Sequence, residues 1–283
     1  MTLPPLSSFI HGVHPPLIAL LTDFGTRDPY VGIMKGVIAV HCPGAICIDL
    51  THEVAPQNVT QGAYLLRSAY RYFPPYTVFL GVVDPGVGTA RRAIAIQTGR
   101  GAFVGPDNGL FSLVLAEQES YLAVELRPPD RARLSDTFQG RDLFAPAAAD
   151  LAGGLPITQL GTPLRDLVQV PPLRIDQPHP NVFEGEVIHI DHFGNVITNL
   201  GGFGWNQDRL EGALVGAIDP QHTWVYIGQE KLETIHRTYG ESAVGAVLAL
   251  ISSDGQLEIA VNQGSAAEVL KVHLGDRVRL EIR

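Results

Sequence analysis

After a short lead-in, the chain repeats one pattern: an apolar run, a turn carrying an acid and a glycine, then an amphipathic stretch. Residues 16–22 read PLIALLT, followed by TDFGTRD and then PYVGIMKGVIAV. A short apolar run without alternation suits a strand buried on both faces. In the next segment Tyr30, Met34, Val37 and Ile38 fall on one helical face, and Pro29 suits the helix start. The pattern continues with a strand at AICIDL (45–50) and a helix over 57–72, where Ala63, Leu66 and Tyr70 keep helical spacing. Strands follow at TVFLGVVD (77–84) and RAIAIQT (92–98), and helices at NGLFSLVLAE (108–117) and RDLFAPAAADLA (141–152). Such units predict an α/β fold with a largely parallel sheet covered by helices.

The texture changes at residues 171–181, PPLRIDQPHPN, which read as a linker. Beyond it the pattern is β: EGEVIHID, GALVGAI, HTWVYIG, AVGAVLALI, QLEIAVN and DRVRLEIR. Short strands at close spacing predict a small antiparallel barrel or sandwich. The expected organisation is a flexible lead-in over 1–15, an N-terminal α/β domain over 16–175 and a C-terminal β domain over 181–283.

Bulk composition narrows the function. Hydrophobic residues make up 45% of the 283, which supplies a core and argues against disorder. Acids outnumber bases 29 to 20, for a net charge of −9. That balance disfavours nucleic acid and anionic membrane as partners and tolerates a cationic ligand. Cys42 and Cys47 form no CxxC pair and suit a reducing compartment. The N-terminus has neither the basic start of a signal peptide nor a membrane-length apolar run, so a cytoplasmic location is expected.

In parallel α/β sheets, ligands bind beyond the carboxyl ends of the strands. Asp23 in TDFGTRD, Asp84 in VVDPGVGTARR and the segment DTFQGRDLFAP (136–146) are placed there. Each acid also has a purely structural reading as an Asx-turn or helix cap. The glycine-rich loop at 84–92 is not a phosphate loop. It lacks GxxxxGK[ST], β sequence follows it rather than a helix, and Asp84 would repel phosphate. An acid followed by arginine suits holding a small polar molecule such as water. The alternative is an ion pair, Asp84–Arg91 or Asp84–Arg92, that merely braces the loop.

In the C-terminal half, HIDHFGNVITN (189–199) is the dense stretch. Strand alternation separates His192 from His189 and Asp191, which makes a weak metal set. A Gly-Asn turn displaying Asp191, Phe193 and Asn195 at its tip suits a ligand with an ammonium group and a flat base. A plain hairpin turn remains the structural reading.

Taken in order, LLTDFGTRDPYVGIMKGVI, VVDPGVGTARR, GPDNGLF, TFQGRDLFAP, IDHFGNVITN and LEIAVNQGSAAEVL resemble one family. The chain is similar, over residues 16–283, to the adenosine-forming S-adenosyl-L-methionine (SAM) hydrolases, or SAM hydroxide adenosyltransferases. These are related to the SAM-dependent fluorinases and chlorinases. The resemblance implies an N-terminal α/β domain, a C-terminal β-barrel and a homotrimer with the site between subunits. It implies attack of water on the ribose 5′ carbon, releasing adenosine and methionine, with no metal or cofactor. By motif, Asp23 matches the ribose-binding acid, Asp191 and Ser253 the methionine end, and Phe193 and Asn195 the adenine contacts. Asp84 and Arg91 match two members of a water-positioning Asp–Arg–His triad, with Arg92 left as a structural neighbour. The pair argues against the halide-using branch. The departure is Gln139, which stands where the family pattern has histidine. Glutamine binds water but takes no proton at neutral pH. The alternative it opens is a SAM- or adenosine-binding protein with weak or lost hydrolase activity.

Overall fold

In a computed structural model of the chain, residues 14–129, 134–171, 174–212 and 215–283 are described; most of the expected lead-in lies outside them. The chain divides into two units between Val170 and Pro171.

The first unit is built on a seven-stranded sheet. Its strands are β1 (Leu17–Thr22), β2 (Ile46–Thr51), β3 (Thr77–Val82), β4 (Ala93–Thr98), β5 (Gly101–Pro106), β6 (Tyr121–Leu126) and β7 (Gly161–Leu164), in the order β2-β1-β3-β5-β4-β6-β7. The four strands from β2 to β5 pair in parallel. The remaining pairs are antiparallel, an extension the βα repeat does not announce. Strands β5 and β6 also escape the sequence pattern.

Every residue of β1 is buried, so its apolar run needs no alternation. Ile18 and Leu20 join one core with Met34 and Ile38 of α1 (Tyr30–His41). Ala19 and Leu21 join the opposite core with Leu66 and Tyr70 of α2 (Val59–Tyr70). Fully burying a side chain of this kind contributes about 1.5–3 kcal/mol. On α1 the buried residues are Val31, Met34 and Ile38; Tyr30, expected on the inner face, is exposed.

Two expected helices change form. The stretch 108–117 contains only a single turn, α3 (Ser112–Leu115). Asn108 breaks the run, since its side chain donates to the Val83 carbonyl and accepts from the Leu110 N–H. The stretch 141–152 begins as a π-turn over Gly140–Phe144 and continues as α4 (Ala145–Ala152). The Ala145 N–H reaches back five residues to the Gly140 carbonyl. Pro146 has no N–H to extend an ordinary α-helical ladder there. Such π-turns recur at functional sites, and this one immediately follows Gln139. Helix α5 (Ile157–Leu160) leads into β7.

The second unit holds β8 (Asp176–His179), β9 (Val182–Ile190), β10 (Val196–Gly201), β11 (Phe203–Asn206), β12 (Arg209–Gly212), β13 (Gly216–Ile218), β14 (Thr223–Ile227), β15 (Glu230–Leu232), β16 (Ile235–His236), β17 (Val247–Ile251), β18 (Gln256–Val261) and β19 (Arg277–Ile282). One nine-stranded sheet runs β15-β14-β19-β9-β10-β18-β17-β16, with β8 added on β9. Its two ends approach each other, which gives a nearly closed barrel around Phe183, Val196, Val225, Leu257 and Leu280. All pairs are antiparallel except β16–β17. Strands β11 to β13 form a separate meander. Helix α6 (Ala266–Leu270) packs beside β18.

Candidate active site

Strands β1 and β3 are parallel neighbours with Thr22 opposite Val82. Asp23 and Asp84, one position out of register, therefore both leave the sheet at the carboxyl ends of neighbouring strands, which lie about 4.8 Å apart. Asp84 is nearly buried, with 5% of its side chain exposed, and so is Arg91 at 11%. Arg91 Nε lies 3.0 Å from each Asp84 oxygen, and Nη2 also bonds Oδ2. The same Nη2 donates to Gln139 Oε1 at 2.5 Å. The guanidinium lies 5.2 Å from the Phe144 ring centroid, inside cation–π range.

Arg92 turns the other way, as the next residue of an extended segment does. Its Nε donates to Asp107 Oδ2 at 2.7 Å, and Nη2 to the Asp166 carbonyl at 2.8 Å. Of the two candidate ion pairs, Asp84–Arg91 is the one formed.

The glycines of the 84–92 loop have a specific use. Gly88 has φ +77°, and a Cβ there would stand 2.7 Å from the Asp136 carbonyl oxygen. Only glycine lets this loop meet the 135–139 segment so closely. That approach brings Arg91 to Gln139.

Asp23 is half-buried, and its Oδ2 accepts from the Gln57 N–H at 2.8 Å. Gln57 holds φ +66°, an uncommon conformation for a residue with a side chain. Asp23 Oδ1 has no partner among the described residues. Phe24 and Phe138, which neighbour Asp23 and Gln139, pack edge to face at 6.2 Å, and Tyr30 closes the cluster. This explains Tyr30, whose ring covers the loops rather than the core. Beneath them His52 is buried, with Nδ1 2.8 Å from Thr22 Oγ1 and Nε2 3.1 Å from Asp49 Oδ1.

In the second unit, residues 191–195 join β9 to β10. Asp191 Oδ1 accepts from the Phe193 and Asn195 N–H groups at 2.8 and 2.9 Å. Oδ2 accepts from Asn195 Nδ2 at 2.9 Å. Phe193 is 73% exposed, but Asn195 is only 7% exposed, a correction to its expected display at the tip. Helix α6 covers it: the Ala267 N–H donates to the Gly194 carbonyl. A Cβ on Gly194, φ +81°, would meet Ser265 Oγ at 2.1 Å. Phe193 and Asn195 line a cavity of about 450 Å³ with Tyr239, Val261, Gln263 and Gly264.

Ser253 is not part of this group. It is exposed in the turn joining β17 to β18, beside Gly201 and Phe203. The 191–195 turn lies at the other end of the β10–β18 pair. His189 is partly buried, and burial pushes its imidazole down against the opposing pull of Asp191. Among the described residues no three His, Cys, Asp or Glu side chains cluster as metal ligands.

Sequence reasoning missed Tyr239 and Glu258. Tyr239 donates to Glu258 Oε1 at 2.8 Å, and Glu258 is only 4% exposed. Burial, then the proximity of Asp191, pushes the Glu258 carboxyl up. Nothing local in RTYGES or QLEIAVN marks this pair. For Ser265 a signal existed. The spacing Ser265-x-x-Glu268 reads as a helix start, and Ser265 Oγ accepts from the Glu268 N–H.

A half-parallel α/β sheet with an acid–arginine–amide cluster at its edge, and a small barrel with an aromatic-walled cavity, define a two-unit small-molecule protein. The chain belongs to the SAM hydroxide adenosyltransferase family. The N-terminal domain profile of that family matches residues 18–161, and the C-terminal one residues 185–279. The chain is 42% identical over 274 residues to an (R)-S-adenosyl-L-methionine hydrolase of Thermus thermophilus, covering 93% of this chain and 98% of that one. It is 30% identical to a fluorinase of Actinopolyspora mzabensis, covering 94% and 97%. The crystal structure of an uncharacterized conserved protein from Thermotoga maritima matches with TM-score 0.81 and 36% identity, covering 93% of this chain and 99% of that one.

Proposed function

We propose that the protein hydrolyses SAM to adenosine and L-methionine. The observation that carries this is the Asp84–Arg91–Gln139 cluster at the sheet edge, in a chain about 41–42% identical to hydrolases named for (R)-SAM. An oriented water attacks the ribose 5′ carbon. The new O–C bond forms as the C–S bond breaks, and the sulfonium takes the electron pair to become a neutral thioether. The water proton passes to Asp84 and then to solvent. The leaving group is already activated, so alignment is the main task; orientation of this kind supplies up to about 7–11 kcal/mol.

Arg91 draws the Gln139 oxygen toward itself, so the glutamine is oriented to offer the water an N–H. Asp84 oxygens retain lone pairs for the water O–H. The water is thus held by one acceptor and one donor. Asp23, with Oδ1 unpaired, serves the ribose hydroxyls. Phe193 and Asn195 serve the base. Resemblance alone assigns Asp191 and Ser253 to the methionine end, and Ser253 lies at the opposite end of the β10–β18 pair from Asp191.

We further propose a homotrimer in which one copy supplies the acid cluster and its neighbour the barrel pocket. The acidic chain fits a cytoplasmic enzyme acting on a cation rather than on nucleic acid. Among the described residues no helix is long and apolar enough to cross a membrane. Incubation with each sulfonium epimer of SAM, followed by chromatography, tests the activity. Equal adenosine and methionine, lost in Asp84→Asn, is expected. SAM binding without either product would favour the binding-protein reading.

A further inference from the structure

The Asn195 amide is locked in one orientation. A carboxylate only accepts hydrogen bonds, so the side chain 2.9 Å from Asp191 Oδ2 must present its nitrogen there. The asparagine oxygen is thereby turned away. It has no partner among the described residues, and Asn195 lines the 450 Å³ cavity with Phe193 and Tyr239. The cavity is therefore offered an acceptor at this position, fixed in place, with only the second N–H of the same amide left beside it.

We propose that Asp191 is a positioning residue that sets the polarity of Asn195, and so makes this pocket selective for a base carrying an exocyclic amino group. The proposal rests on the adenosyl reading above. A 6-amino purine donates to the asparagine oxygen. A 6-keto purine brings oxygen against oxygen and leaves a buried acceptor unpaired, which costs about 1–3 kcal/mol, or roughly 5- to 150-fold in affinity. This role needs nothing from the methionine end of the substrate, so it separates cleanly from ammonium binding.

The substitution Asp191→Asn reverses the lock. The new residue keeps an oxygen for the Phe193 and Asn195 N–H groups but puts an NH2 where Oδ2 stood. Asn195 must then turn its own oxygen inward and offer its NH2 to the cavity.

The test is calorimetric titration of the full-length protein with adenosine and with inosine. Neither ligand carries methionine. The wild-type protein is expected to bind adenosine on the order of 10- to 100-fold more tightly. In Asp191→Asn the preference is expected to vanish or invert. Should that variant fold poorly, Asp191→Ser keeps a hydroxyl for the turn, frees Asn195 and should bring the ratio near one. Inosine binding as tight as adenosine in the wild type overturns the proposal and leaves SAM hydrolysis standing. An unchanged ratio in the folded variants, with SAM affinity reduced, also overturns it and returns Asp191 to the ammonium alone. No binding of adenosine, inosine or SAM overturns both readings.

Discussion

Arg91 Nη2 donates to Gln139 Oε1 at 2.5 Å across 48 residues of chain, while Arg91 Nε lies 3.0 Å from both oxygens of Asp84. The oxygen of position 139 is therefore held toward Arg91. The group turned toward a water is the N–H. A neutral histidine accepting from Arg91 through one ring nitrogen would present an N–H as well. Glutamine and histidine then do the same work here.

From this follows the first prediction. Gln139→His should change kcat by less than about tenfold, because neither side chain removes the proton. Gln139→Leu deletes the donor and should lower kcat on the order of 10-fold or more, with KM little changed. Steady-state kinetics decide. A rise of several hundredfold in Gln139→His would show that proton transfer at 139 limits turnover.

Asp84→Asn keeps shape but removes the charge facing Arg91. Loss of the acceptor should lower kcat by about 10²–10⁴. Breaking a nearly buried pair should also destabilise the fold by about 3–5 kcal/mol. Denaturant unfolding and kinetics measured together check both. A variant that keeps kcat would remove Asp84 from the mechanism.

Arg92→Ala offers the contrast. Arg92 pairs with the buried Asp107 and not with Asp84. It should lose stability, roughly 1–3 kcal/mol, while KM and kcat of the folded enzyme stay within about threefold. A large kcat loss at full stability would contradict the assignment of the two arginines.

Glu258 gives a pH test. Its folded carboxyl is pushed above the ordinary range, first by burial and then by Asp191. The protonated form is favoured on folding, so that stability is present at acid pH and lost as pH rises through the raised value. Glu258→Gln, always neutral, should melt higher than wild type at neutral pH, and the gap should close toward acid. A gap independent of pH would show that Glu258 does not titrate as described.

These sites differ in how far the sequence exposes them. The loops after β1 and β3 are legible because buried strands ending in acid and glycine mark their own carboxyl ends. The approach of Arg91 to Gln139 is long-range, set by Gly88 against Asp136, and only the motif set hinted at it. The burial of Asn195 was not legible, since α6, not the turn itself, covers it. Nor was the position of Ser253, because β-hairpin tips that look alike in sequence lie at opposite ends of the β10–β18 pair. The antiparallel turn of the first sheet escaped because β4 and β5 are buried throughout and follow each other with no helix between them to contrast with the βα units.

The most direct measurement follows oxygen. Each sulfonium epimer of SAM is incubated with the protein in water enriched in oxygen-18, with and without chelator, and adenosine and methionine are analysed by mass spectrometry. The account predicts equal amounts of the two products. It predicts one heavy oxygen in the adenosine 5′-hydroxyl, none in methionine, no effect of chelator, and loss of product in Asp84→Asn. Adenosine without the label, or no adenosine despite SAM binding, would contradict attack of an oriented water at the 5′ carbon.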